Sequence, residues 1–175
     1  GMGADLFESF VGSLVGSMML GLVVAGSGDV KLKLAALPLL LAVVGVAASL
    51  IGMLFVRAKP GKSPQTALNL GTLGAAVIAA GLSFLVIFFF LGKDTFNNGA
   101  GTVHVFFSCI LGLAAGTLIG FLTEYFTGTG TPPVKSIVRS CETGSATTII
   151  TGMGVGMMSA FPAVILITAA ILGSN

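Results

Sequence analysis

Five long apolar runs constrain this chain more than any other feature. They cover about residues 4–25, 34–56, 68–91, 103–126 and 144–172. Each is close to the roughly 20 residues that cross the hydrocarbon core of a bilayer as an α-helix. Strands are excluded, because the runs are too long and lack the two-residue alternation of a membrane barrel. Of the 175 residues 55% are hydrophobic and only 8% charged, whereas a soluble domain carries about 25% charged residues. Such a chain cannot cover itself with polar surface, so lipid must be part of its solvent. The expected fold is all-α: a polytopic transmembrane helix bundle of about five spans. The 26 glycines lie inside apolar runs, which points to close helix packing rather than disorder.

Several function classes drop out on composition. A net charge of +2, scattered along the chain, is no footprint for nucleic acid. Cys109 and Cys141 are far apart and show no metal-ligand spacing; both read as small structural residues. No basic segment precedes the first run, and that run is too long for the apolar core of a signal peptide. There is no glycine-rich phosphate loop, nucleophile triad or metal-ligand cluster.

The breaks between runs are rich in turn formers. Gly26-Ser27-Gly28-Asp29 ends the first run, and Lys59-Pro60-Gly61-Lys62-Ser63-Pro64 separates the second from the third. Lys93-Asp94 and Asn97-Asn98-Gly99 follow the third. The longest polar connection, 127–143, contains Pro132-Pro133, Lys135 and Arg139. Pro38 is expected near the start of its span, where proline is tolerated. Pro162 lies inside the fifth run, where it should kink the helix or mark a packed, non-ideal turn. The second and fourth loops carry Arg57, Lys59, Lys62, Lys135 and Arg139, against Lys31, Lys33 and Lys93 in the first and third. That bias puts the N-terminal end and the loops near 57–67 and 127–143 in the cytoplasm.

Small residues recur at i+4: Gly12 with Gly16, and Gly112, Gly116 and Gly120. Such ridges allow close helix contact. The first run adds a polar side. Placed on a helix at 100° per residue, Asp5, Glu8, Ser9, Gly12, Ser13, Gly16 and Ser17 share roughly half the circumference. Phe7, Phe10, Val11, Leu14, Met18 and Leu22 take the other half. A helix surrounded by lipid has no reason to sort itself this way, so the polar side must meet protein, water or ions.

Asp5 and Glu8 are two of only six acids in the chain and stand three residues apart. Two carboxylates this close in a poorly solvated site raise each other's proton affinity unless a cation sits between them. The pair, with the Ser9 hydroxyl beside it, can hold Na⁺ or a proton, or pair with a basic residue from another helix. The plainer alternative is a pair of helix-start acids that complement the dipole at the aqueous end of the span. His104 and Glu124-Tyr125 read as interfacial residues at span ends, and Glu142 as a solvated loop acid.

The run Gly3-Ala4-Asp5-Leu6-Phe7-Glu8-Ser9 resembles the start of the sixth transmembrane helix of the membrane-integral, ion-translocating inorganic pyrophosphatases. Ala67-Leu68-Asn69 fits the same family. So do Thr123-Glu124-Tyr125-Phe126-Thr127, Pro133-Val134, Thr143-Gly144-Ser145-Ala146-Thr147 and Gly152-Met153-Gly154-Val155-Gly156-Met157. These look like the end of the ninth helix, the following loop and the tenth helix. The resemblance extends over nearly the whole chain and implies helices six to ten of a sixteen-helix subunit that works as a homodimer. It implies pyrophosphate and Mg²⁺ in a cytoplasmic funnel, possible dependence on K⁺, and hydrolysis coupled to passage of H⁺ or Na⁺.

By the same resemblance Asp5, Glu8 and Ser9 correspond to the ion gate below the hydrolytic site. The first span would be an inner-ring helix and the other four outer-ring ones. The Asp-rich pyrophosphate-binding motif would lie just upstream of Gly1, so no catalytic residue and no metal ligand is expected among these 175. The spacing of Glu8 from Asp5 resembles that of Na⁺ pumps and of some bacterial H⁺ pumps, which leaves the ion open. A rival reading is a non-enzymatic small multi-span carrier or channel subunit. A structural membrane assembly factor would explain the glycines but not Asp5 and Glu8 together.

Overall fold

The computed structural model describes residues 2–24, 28–54, 56, 64–92 and 101–174, without the side chains of Met2, Asp5, Asp29, Pro64 and Thr66. Every element is helical: α1 (Met2–Asp5), a π-helical turn (Leu6–Phe10), α2 (Val11–Val24), α3 (Gly28–Met53), α4 (Pro64–Leu91), α5 (Thr102–Thr127), α6 (Pro132–Ser140) and α7 (Ser145–Gly173). Among the described residues five helices are long and apolar enough to cross a membrane. The all-α, five-span architecture read from the sequence is therefore the architecture observed.

Two compact units divide the chain, residues 1–107 and 108–175. In the first, α2 packs on α3 and α3 on α4. The buried side chains are Leu34, Leu37 and Ala48 of α3 and Ser83, Ile87 and Leu91 of α4. Elsewhere large apolar side chains point outward: Val23 is 82% and Phe89 84% exposed. Water would not tolerate a surface of this kind, but lipid and neighbouring membrane helices do.

Close approach in this unit is made by glycines. A Cβ on Gly52 would lie 2.6 Å from the Ala75 Cβ and 3.2 Å from the Gly71 carbonyl oxygen. A Cβ on Gly71 would strike Val56 and come within 3.4 Å of the Gly52 carbonyl. Two helices can approach this closely only where both lack side chains. At the far end of α4, Phe84 meets Phe106 edge-on at 5.1 Å, and the Thr102 hydroxyl donates to the Gly92 carbonyl at 2.7 Å.

In the second unit α6 packs on α7, and the Ser108 hydroxyl donates to the Ser174 carbonyl at 3.3 Å. Between α5 and α7 lies an open apolar groove of ≈ 540 Å³, lined by Leu118, Phe121, Tyr125, Pro162 and Ile165 among others.

Local expectations change in three places: the start of α3, the connection 127–143 and the first span. The chain is already helical at Gly28, so Lys31 and Lys33 sit within α3 rather than in a loop, and Pro38 lies in the helix interior. Hydropathy marks where lipid begins, whereas backbone hydrogen bonding continues past that depth. The polar connection 127–143 contains a helix, α6. The first span is not one uniform α-helix but is interrupted by the π-turn. α7 continues through Pro162, which lines the groove. The loops around Gly61 and Asn97 lie outside the described residues.

Candidate functional site

The sorted face of the first span leads into the site. α1, the π-turn and α2 follow one another without a break from Met2 to Val24. The side of α2 that turns inward consists of Leu14, Met18 and Gly21, all half-buried. Their spacing of four and three residues is one stripe of an α-helix, and it faces α3. At its foot a Cβ on Gly21 would lie 2.7 Å from the Leu34 carbonyl oxygen. Nearer the N-terminus, Phe10 shares an apolar groove with Ala42, Val46 and Leu50 of α3.

Glu8, Ser9, Gly12, Ser13, Gly16 and Ser17 are all exposed. Within residues 1–107, α3 half-buries only the stripe Leu14, Met18 and Gly21; Phe7, Phe10, Val11 and Leu22 are exposed along with the polar, small-residue side. A row of small polar residues at membrane depth has to be met by protein, water or ions.

The π-turn sits where the chemistry is concentrated. It spans Leu6-Phe7-Glu8-Ser9-Phe10. A π-turn closes hydrogen bonds from i to i+5, so it takes up about one residue more than an α-turn. It therefore brings residues four and five apart into line, not three and four. Glu8 and Ser9 lie within it, and their backbone differs from the uniform 100° helix assumed from sequence. The side chain of Asp5 lies outside the described residues.

The serines below have a fixed donor arrangement. The Ser13 hydroxyl donates to the Phe10 carbonyl at 2.8 Å, at the junction of π-turn and α2. The Ser17 hydroxyl donates to the carbonyls of Ser13 and Leu14, both at 2.9 Å. A hydroxyl has one proton and two acceptor lone pairs. With the proton committed to the helix's own backbone, each oxygen turns acceptor capacity outward. That suits a cation or a hydrogen-bond donor, not an anion.

Other residues marked in the sequence are placed more plainly. Among the described residues nothing lies within 4 Å of where a Cβ would stand on Gly12, Gly16, Gly112, Gly116 or Gly120. The glycines that do seat helices, Gly21, Gly52 and Gly71, have no glycine four residues away. The small residues at that spacing are Ser17, Ala25, Ala48, Ala67 and Ala75, and the sequence reading does not single these glycines out. His104 accepts the Gly101 N–H through Nδ1 at 3.4 Å and stands at the start of α5, which is a helix-start role. Neither Cys109 nor Cys141 is part of a disulfide. Among the described residues no three His, Cys, Asp or Glu side chains come together as a metal site.

Comparison with known proteins covers the entire chain. A family model described as "Inorganic H+ pyrophosphatase" matches residues 1–175. A protein of Clostridium tetani, assigned by name to the K(+)-stimulated pyrophosphate-energized sodium pumps, is 39% identical over 175 residues, 99% of this chain and 24% of the relative. The K(+)-insensitive pyrophosphate-energized proton pump 2 of Moorella thermoacetica is 36% identical over 99% of this chain and 25% of its own length. The K(+)-stimulated pyrophosphate-energized sodium pump of Thermotoga maritima is 32% identical over 97% of this chain and 26% of its own length. The chain spans about a quarter of the length of these curated relatives.

Proposed function

The chain belongs to the inorganic H⁺ pyrophosphatase family, and from that premise we propose that it works within a membrane pump that couples pyrophosphate hydrolysis to the passage of H⁺ or Na⁺. In this reading the first span is the ion-gate helix, and Asp5, Glu8 and Ser9 are the groups that bind and release the cation. The observation that carries it is the open polar side of that span. Glu8 and Ser9 lie in a π-turn, and π-turns inside α-helices occur frequently at functional sites. Below them two serine oxygens turn acceptor capacity away from the backbone, which favours a cation.

The five long helices correspond in order to helices six to ten of the family fold. The first belongs to the inner ring and the other four to the outer ring. Gly12, Gly16, Gly112, Gly116 and Gly120 then seat helices that this chain does not contain. The subunit works as a homodimer in the bilayer, with the N-terminal end and the loops near 57–67 and 127–143 in the cytoplasm.

Hydrolysis itself is assigned elsewhere. Mg²⁺ is commonly held by one or two carboxylates together with substrate phosphates; here six acids are spread over 175 residues, and no three come together among the described residues. In this reading the metal and any K⁺ are held by the rest of the pump. Relatives named as sodium pumps and as proton pumps are about equally similar, so the cation is left as either.

The test is to measure pyrophosphate hydrolysis and ion uptake in the same reconstituted vesicles, using a full-length pump that contains this segment. Glu8→Ala should lower uptake per pyrophosphate hydrolysed and alter its Na⁺ and pH dependence. An unchanged ratio with unchanged dependences would reduce Glu8 to a helix-start acid and remove the gate assignment.

A further inference from the structure

The connection between α5 and α7 holds a helix whose chemistry the pump reading does not use. α5 ends at Thr127 and α7 begins at Ser145. Both are membrane-length helices, so the residues between them lie at one boundary of the bilayer. There the chain forms α6, nine residues long, with Pro132 and Pro133 in its first turn. Glycines in conformations that L side chains rarely adopt set it off at both ends, Gly130 at φ 85° and Gly144 at φ 131°.

α6 is strongly amphipathic, unlike every long helix of the chain. At 100° per residue Val134, Ile137 and Val138 occupy one arc, Lys135 and Arg139 the next, and Ser136 and Ser140 the remainder. Its C-terminal end is tied to α7. The Thr147 hydroxyl donates to the Ser140 carbonyl at 3.0 Å and stands 2.7 Å from the Thr143 hydroxyl. Even so, Val138 is 61% exposed, and Lys135 and Arg139 are exposed beside it. An apolar arc edged by cations, at the depth where acyl chains give way to head groups, is the pattern of an interfacial helix.

We propose that α6 lies in the plane of the membrane surface, with Val138 in the acyl-chain boundary and Lys135 and Arg139 binding the phosphates of anionic lipids. Charge complementarity selects this occupant. The helix carries two cations and no acid, and Glu142 follows it in the turn. Each basic side chain near the surface adds attraction to an anionic leaflet. Tyr125, exposed near the end of α5, has the amphipathic ring expected at the same level. The lipid contact would anchor the α6–α7 corner and is independent of which cation is pumped.

The experiment uses the whole chain in phosphatidylcholine nanodiscs with or without phosphatidylglycerol. With both native cysteines changed to serine, a nitroxide is placed at 138 (V138C) or 136 (S136C). The label at 138 should be relaxed more by oxygen than by a water-soluble nickel chelate, and the label at 136 the reverse. Energy transfer from a dye at 136 to head-group-labelled lipid should show a preference for phosphatidylglycerol. That preference should fall on the order of tenfold in Lys135→Gln/Arg139→Gln and persist in Arg139→Lys. A water-exposed label at 138, or a preference untouched by the double variant, would overturn the proposal. Loss of the preference on adding inorganic phosphate would overturn it too, by marking a free-phosphate site instead.

Discussion

Gly21 of α2 stands against the carbonyl of Leu34 in α3, at a place where a Cβ would lie 2.7 Å from the oxygen and 3.0 Å from the carbon. Leu34 is four residues before Pro38, which has no N–H to donate. The carbonyl that meets Gly21 is therefore the one that proline leaves without its i+4 partner. Two features that look unrelated in sequence form one joint: a proline frees a backbone oxygen, and a glycine lets the neighbouring helix come up to it. Gly21→Ala should open this joint, because the opposing atoms are backbone and no rotamer change can clear them. The expected loss is about 1–3 kcal/mol, read by SDS titration of helicity in detergent. Pro38→Ala restores a donor to Leu34 and changes the geometry of the joint, so the double variant should depart from additivity. Strict additivity would separate the two residues.

The crossing of α3 and α4 is a second such point. Gly52→Ala and Gly71→Ala each insert a methyl group against the other helix and should also lower stability by about 1–3 kcal/mol. Gly45 and Gly81 lie on the same two helices with nothing within 4 Å. Alanine there should be neutral or stabilising, since helical glycine costs up to about 1 kcal/mol against alanine. Equal behaviour of all four variants in the same titration would contradict the crossing.

These joints show where sequence reading stops. The five spans were legible because lipid imposes length and polarity directly on each helix. The polar side of the first span was legible because a helical period displays it. Gly21, Gly52 and Gly71 were not, since each is a lone glycine whose role depends on which helix faces it. The π-turn leaves no signature in Leu6-Phe7-Glu8-Ser9-Phe10, as its cause is hydrogen-bond register and not residue type. α6 was hidden by Pro132-Pro133 and its short length, although prolines at a helix start are compatible with helix.

Orientation offers a third test. Single cysteines near Gly61 should be shielded from a membrane-impermeant reagent added outside intact cells, and single cysteines near Asn97 should react. This follows from the excess of Arg57, Lys59, Lys62, Lys135 and Arg139 over Lys31, Lys33 and Lys93. Reaction near Gly61 with protection near Asn97 would invert the orientation and with it the helix assignment.

The last prediction concerns the π-turn itself. Because a π-turn holds about one residue more than an α-turn, deleting Phe7 should let Met2 to Val24 close as an uninterrupted α-helix. The helices before and after the turn would stay in phase, because the residue removed is the one the π-turn takes up, while the residues inside the turn change register. Leu14, Met18 and Gly21 would still face α3, since they follow the deletion. What changes is the placement of Glu8 and Ser9, which lie inside the turn, relative to Asp5 on one side and Ser13 and Ser17 on the other. In a full-length pump containing this segment, the deletion should leave folding in the membrane near normal by thermal melting and abolish coupled ion uptake. Phe7 is 79% exposed, so Phe7→Leu removes the same ring without touching the register and serves as the control. Uptake kept by the control and lost by the deletion would assign the π-turn to ion transfer. Equal uptake in both would leave the turn with no part in it.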